Sequence, residues 1–350
     1  MQESLIDLLR CPVTRSKLRI DVIKKKKKEL DGQLADIIDE AILYADADWF
    51  YPVIKGIPRL TVEAVIDYET FMKQTMPDFI NKRDALFVRY GTFINGVKKK
   101  NIRTKKSFTK QWKVFNPEKD KTWNADDKGM LERFFKEISE NADTLEDKFI
   151  FDAGCGNGLL NSLLARQGIN NIAMDFSNSI ENAYENNRYA KVHFIQGDVQ
   201  YPPIVFNYFD IVHSSGVLHH TNNTELSFSC LTPVVKTGGK FSVWLYQPRQ
   251  DFIHNFFNAI RKVTSRFPLS FQYYFYMLTI FPASYIIKRI KGNKQNYREM
   301  IIDILDWFTP EFRWEHNHEE VATWYYKRQF TDIQVTTNHF FGFNIIGIKK

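Results

Sequence analysis

The chain has 350 residues, 44% hydrophobic and 25% charged, which excludes disordered, collagen-like and low-complexity architectures and suits one large domain with a smaller companion. Its 48 Lys and Arg against 41 Asp and Glu leave a net +7, too small an excess to choose among nucleic acid, anionic lipid and phosphorylated substrates. Three cysteines, Cys11, Cys155 and Cys230, exclude a disulfide framework and a CxxC metal pair; with an N-terminus that lacks an apolar leader, they point to a reducing, cytoplasmic setting.

Residues 1–60 contain short apolar runs and close on YPVIKGIPRL (51–60), whose Pro and Gly read as turns between strands. Residues 61–147 read as helical and basic: 98–121 alone hold nine lysines and Arg103 against Glu118 and Asp120, a net of +8. Within them Phe108, Trp112 and Phe115 fall on one helix face at i, i+4 and i+7. The Lys24–Lys28 run reads as a solvated face.

From 148 to 247, short β-rich runs alternate with helical ones, as in a parallel α/β sheet. Strands are expected at 148–153, 171–174, 192–196, 209–213 and 240–246, with helices at 159–166, 178–187 and 224–236. Residues 248–310 form an aromatic helical insertion, and 311–350 add a helix and two strands. The uncharged run 267–287 holds Pro268, Pro282 and Gln272, which argues against a spanning helix.

Chemistry concentrates after the first strand of that α/β stretch, at Gly154-Cys155-Gly156-Asn157-Gly158. Glycines there let a ligand approach the backbone at the carboxyl edge of the sheet, where doubly wound folds bind ligands. A dinucleotide fingerprint needs a third glycine at 159, which is Leu159, so a pyrophosphate is disfavoured. Asp175 ends the second strand, where it can accept the two hydroxyls of a ribose, with Phe176 beside it to pack on a purine. Asp198 ends the third strand, placed to accept an amino group. Together these describe an adenosine without phosphates.

This string, with Gly197-Asp198-Val199 and Phe209-Asp210-Ile211-Val212, resembles the class I S-adenosylmethionine-dependent methyltransferases. The resemblance implies a Rossmann-like, seven-stranded α/β sheet with helices on both faces. It also implies S-adenosyl-L-methionine as cofactor, held by Asp152, Gly154, Cys155, Gly156, Asp175, Phe176, Asp198, Val199, Ser214 and Ser215. The segment Ser214-Ser215-Gly216-Val217-Leu218-His219-His220 resembles the VLHH stretch of ubiquinone and menaquinone methyltransferases. An oxygen nucleophile needs a base, and imidazole suits neutral pH. His219 and His220 are the candidates, His219 slightly preferred, and a structural role for the pair stays open. Phe108, Trp112, Tyr246 and Phe256 are the expected substrate-lining rings. No metal site is expected.

Residues 1–60 resemble a second family, the zinc-ribbon-like proteins that activate certain methyltransferases, through Leu5, Leu8, Leu9, Cys11, Pro12 and Leu18, then Tyr51-Pro52 and Gly56-Ile57-Pro58. Thr14 stands where that pattern has its second cysteine, so tetrahedral zinc cannot be built.

The resulting organisation is a small β-rich domain (1–60) without metal ligands, a basic helical linker and cofactor lid (61–147), and a methyltransferase domain (148–350) whose insertion 248–310 lids the acceptor. The expected activity is methyl transfer to a small or lipid-linked metabolite, at oxygen. An RNA or protein methyltransferase and a non-catalytic cofactor-binding scaffold are the alternatives, with nucleic acid not favoured. The aromatic insertion, flanked by Arg261, Lys262, Arg266, Lys288, Arg289 and Lys291, suits peripheral membrane contact or a homodimer interface.

Overall fold

The computed structural model describes residues 1–114, 120 and 125–350, excepting the side chains of 113, 114 and 253. Phe115 lies outside the described residues.

An antiparallel meander comes first: β1 (Arg19–Leu30), β2 (Gln33–Tyr44), β3 (Phe50–Ile54) and β4 (Ile57–Leu60). Its β1–β2 turn places Asp31 and Gly32 at φ +49° and +74°, and its β3–β4 turn places Lys55 and Gly56 at +52° and +78°. Both are two-residue hairpin turns whose twist matches that of the flanking strands. The Lys24–Lys28 run lies on β1, the outer edge strand, where charge discourages pairing with another chain.

Helices α1 (Ala64–Asp67) and α2 (Glu69–Thr75) lead into α3 (Phe79–Val114), and α4 (Asp127–Ile138) precedes the central sheet. There β5 (Phe149–Ala153), α5 (Leu159–Arg166), β6 (Asn170–Asp175), α6 (Ser179–Asn186), β7 (Val192–Gly197), β8 (Phe209–Ser215), α7 (Thr224–Leu231) and β9 (Val235–Tyr246) follow. The insertion is α8 (Phe252–Thr264), α9 (Leu269–Ile290) and α10 (Tyr297–Phe308); α11 (His318–Lys327), β10 (Phe330–His339) and β11 (Gly342–Lys349) close the chain.

Among the described residues eleven strands form one sheet, in the order β1-β2-β3-β4-β7-β6-β5-β8-β9-β11-β10. The neighbours from β4 to β9 pair in parallel, and β9, β11 and β10 pair antiparallel. The sheet is therefore wider than the seven strands expected. Nor does the N-terminal unit stand apart: Arg59 and Leu60 pair with Gln196 and Gly197. Leu9, Trp49 and Val53 share one apolar core with Phe151, Val212 and Phe241.

Arg59, only 1% exposed, secures that junction by donating to Glu181 Oε1 at 2.9 Å and to Gln196 Oε1 at 3.4 Å. The N-terminal unit also grips the loop beyond β7, where Leu9 bridges Ile204 and the Arg10 amide donates to the Pro203 carbonyl at 3.0 Å.

A second difference lies after α7. That helix stops at Leu231 rather than running to Lys236, because Pro233 cannot continue an α-helix. Gly238 and Gly239 consequently sit inside β9, and a Cβ on Gly239 would meet the carbonyl oxygens of Phe209 and Asp210 at 3.0 Å. No helix among the described residues is long and apolar enough to cross a membrane; α9 covers most of 267–287 and stays helical through Pro282.

Candidate active site

The strand order reverses between β5 and β8, so the connections leaving their carboxyl ends run to opposite sides and leave a crevice. The turn after β5 uses left-handed backbone at Gly154 and Gly156, φ +104° and +57°, which side chains other than hydrogen strain to adopt. The Gly154 and Cys155 amides donate to the Met174 carbonyl at 2.7 and 2.9 Å, and the Gly156 amide donates to Asp175 Oδ2 at 2.9 Å. A Cβ on Gly154 would lie 2.2 Å from Val217, and one on Gly156 would lie 2.7 Å from the Trp112 indole. The indole thus covers the turn.

The cleft is lined by Gly154, Gly156, Asp175, Phe176, Asp198, Val199 and Ser215 from the sheet's edge, and by His220 from the turn after β8. Helix α3 crosses over it with Asn101, Thr104, Phe108 and Trp112. These four recur at i, i+3, i+7 and i+11, one continuous helix face.

Asp175 is buried, which pushes its carboxyl above the usual range against hydrogen bonds that hold it down. Its Oδ1 accepts from the Ser177 amide at 2.8 Å and the Ser177 hydroxyl at 2.6 Å. Asp198 accepts from the Gln200 amide at 2.9 Å and from Asn101 Nδ2 at 2.8 Å. Phe176 presents its ring to the cleft, with the Lys105 ammonium 5.1 Å from the ring centre.

Other expected cofactor residues lie elsewhere. Asp152 does not line the cleft: it is 4% exposed and its Oδ1 meets His213 Nδ1 at 2.9 Å, while His213 Nε2 meets Glu137 Oε2 at 2.9 Å. Held between two carboxylates, the imidazole is raised from 6.5 to about 9 despite its burial. Cys155 also stays off the lining, its thiol pushed well up by burial. Ser214 donates to the Ala153 carbonyl at 2.8 Å and only ties β8 to β5.

The two adjacent histidines separate. His219, fully buried and off the lining, packs 4.2 Å from the Tyr246 ring and 4.3 Å from His220, with neither ring nitrogen hydrogen-bonded. His220 lines the cleft. Its Nδ1 lies 3.0 Å from the Phe312 carbonyl, which only accepts, so Nδ1 carries the proton and Nε2 the lone pair. That Nε2 is buried without a partner. Burial lowers His220 to about 4, which keeps it neutral. Geometry therefore reverses the order of preference within the pair.

Of the expected lining rings, Phe108 and Trp112 reach the cleft. Tyr246 stands one layer behind, its hydroxyl donating to Asp306 Oδ2 at 2.8 Å. Phe256 is 53% exposed on α8 and takes no part. Sequence reasoning missed Asn101, Thr104, Gln200, Asp306 and Phe312, all on the lining. The helical spacing of Asn101 and Thr104 with Phe108 was the available signal, hidden because both are polar.

The cleft's basic surroundings are tied down within the chain. Lys98 pairs with Asp67 at 3.3 Å, Lys105 with Asp67 at 2.7 Å and Lys100 with the Gln200 amide oxygen at 2.7 Å. Apolar walls with the carboxylates of Asp175 and Asp198 at two strand ends fit an adenosine.

Fold and cleft together define a Rossmann-like nucleoside-binding domain. Residues 151–243 match the family described as "Methyltransferase domain". A ubiquinone biosynthesis O-methyltransferase of Coxiella burnetii is 24% identical over 45% of this chain and 59% of its own length. A demethylmenaquinone methyltransferase of Renibacterium salmoninarum is 25% identical over 55% of this chain and 73% of its own. The chain thus spans about 59% of the length of the Coxiella relative. Among solved structures, a methyltransferase from Aquifex aeolicus aligns over 67% of this chain and 98% of its own, at 13% identity and a TM-score of 0.40.

Proposed function

We propose that the protein transfers a methyl group from S-adenosylmethionine to a hydroxyl oxygen of a small, ring-bearing acceptor of the quinol type, with His220 as general base. The observation that carries this reading is the His220 imidazole on the cleft lining: oriented by the Phe312 carbonyl, kept neutral by burial, and with no partner on Nε2. The quinone-type acceptors in the names of the Coxiella and Renibacterium relatives support the acceptor class.

Bound S-adenosylmethionine supplies an electrophilic methyl carbon on a sulfonium. Asp175, Phe176 and Asp198 would hold its nucleoside, and the backbone about Gly154 and Gly156 would receive the remainder. Phe108 and Trp112 cover the cleft and exclude water. His220 Nε2 would take up the acceptor's hydroxyl proton as that oxygen receives the methyl group. The imidazolium so formed is steadied by the Phe312 carbonyl and by the Asp306 carboxylate, which also lines the cleft. Alignment of the reactants supplies much of the remaining acceleration.

Residues 1–60 belong to this reading as a metal-free support resembling the activator family. The Cys11 sulfur meets the Tyr51 hydroxyl at 3.3 Å, closing that unit's core. Calorimetric titration with S-adenosylmethionine, followed by turnover on catechols, quinols, sugars and short RNAs, tests the proposal. Saturable binding with turnover on the hydroxylated rings is expected. No binding at high micromolar cofactor, or turnover on RNA alone, would overturn it.

A further inference from the structure

We propose that helices α8 and α9 dock the protein flat on an anionic lipid bilayer, with their exposed apolar faces in the interface and their flanking cations among the headgroups. On α8, Phe252, Phe256 and Val263 recur at i, i+4 and i+11, all exposed, and on α9 Phe271, Tyr274, Leu278 and Tyr285 recur at i, i+3, i+7 and i+14. Phe252 is 83%, Leu278 79% and Tyr274 66% exposed, values that a folded protein rarely gives several large side chains on one pair of helices. Phe267, at the corner between the helices, packs 5.0 Å from Phe271 and makes the apolar surface continuous there.

Charge decides the occupant. From residue 252 to 298 there is no Asp or Glu. Lys262 and Arg266 lie exposed at the end of α8, and Arg289, Lys291 and Lys294 at the end of α9. A second copy would bring the same cations to the same face, so pairing of copies meets like-charge repulsion. An anionic bilayer complements them, at about 1 kcal/mol for each lysine or arginine near its surface. Neither helix is long and apolar enough to span, so they lie in the plane. The inner side of α9 packs through Tyr276 on Phe308 of α10, at 4.9 Å between rings, and α10 carries Asp306 of the cleft. Docking thus sets the cleft one helix away from lipid, within reach of an apolar acceptor dissolved there.

Flotation of the full chain with vesicles tests this, comparing phosphatidylcholine alone with phosphatidylcholine and phosphatidylglycerol in equal parts. Retention on the anionic vesicles, lost at high salt, is expected. Leu278→Asp with Tyr274→Asp, and separately Lys291→Glu with Lys294→Glu, should each lower the bound fraction about tenfold. Both pairs are exposed, so far-ultraviolet dichroism and cofactor titration should match the wild type, which separates this test from the proposed activity. Equal retention on neutral and anionic vesicles, no retention on either, or unchanged retention of both variants would overturn the proposal. So would a wild-type dimer in sedimentation that the apolar variant converts to monomer without any vesicle binding.

Discussion

Replacing His213 with Gln offers the sharpest test of the buried carboxylate–imidazole–carboxylate chain beneath the glycine turn. Its two ring nitrogens lie 2.9 Å from Asp152 and from Glu137, the edge of the Phe134 ring covers it, and Arg133 holds Glu137 from outside at 2.7 Å. Both carboxylates stabilise the charged ring, which raises it from 6.5 to about 9. A raised group binds its proton more tightly in the folded chain, so its stabilisation is complete below 6.5 and disappears as pH rises through 9. At about 1.4 kcal/mol per pH unit this is roughly 3 kcal/mol at pH 5.5, about 2 near pH 7.5 and almost nothing by pH 10. Burial depresses His193, His219 and His220, which act oppositely and lose stability as pH falls below 6.5. They cancel in the difference between wild type and His213→Gln. Urea unfolding followed by tryptophan fluorescence across this range measures that difference. A gap that stays constant with pH, or widens as pH rises, would show that the imidazole is neutral and refute the reasoning.

His220→Ala should lower kcat by about a hundredfold or more while cofactor affinity changes little, because a base and not a binding group is lost. His219→Phe should fold normally and keep most turnover, since it replaces a ring whose nitrogens have no partner; equal losses for the two variants would return the base to either histidine. Gly156→Ala meets the Trp112 indole and an unfavourable φ of +57°, so cofactor binding should weaken about tenfold in titration. Adding Trp112→Ala should recover part of that affinity and not all. Arg59→Met should cost about 2 kcal/mol in urea unfolding, less than for a fully buried pair because Glu181 keeps some water.

Local patterns carried much of the α/β core into view: the strands ending at Ala153, Asp175 and Gly197, the glycine turn between β5 and α5, and the acids at two strand ends. What the sequence concealed was set by long-range contact. Nothing near Arg59 announces Gln196 and Gly197 as its neighbours, so the N-terminal strands read as a unit apart. The motif alone points Asp152 toward the cofactor, because His213, 61 positions on, gives no local sign of claiming it. His219 and His220 cannot be told apart by spacing: adjacent residues on one tight turn point different ways, and only Phe312, 92 positions beyond His220, settles which nitrogen is free. The basic stretch beginning at Lys98 gives no local sign of its distant partners: Lys98 and Lys105 pair with Asp67, Lys105 also with Glu63, and Lys100 donates to Gln200 Oε1.

The parallel seam between β4 and β7 has a kinetic meaning. Residues 1–60 are synthesised before their docking edge on Gln196 and Gly197, which follows Arg59 and Leu60 by 137 positions. Until then the meander must persist with β4 unpaired on that side, and an unpaired strand edge is a ready template for wrong partners. Contacts so distant in sequence also slow the search for the native pairing. The short four-residue β4, against the twelve residues of the lysine-rich outer strand, keeps that waiting edge small. Helices α1 to α3, made directly afterwards, are the next segments to emerge while it waits. Refolding of this chain should therefore be limited by closure of this seam rather than by formation of the nucleoside-binding core.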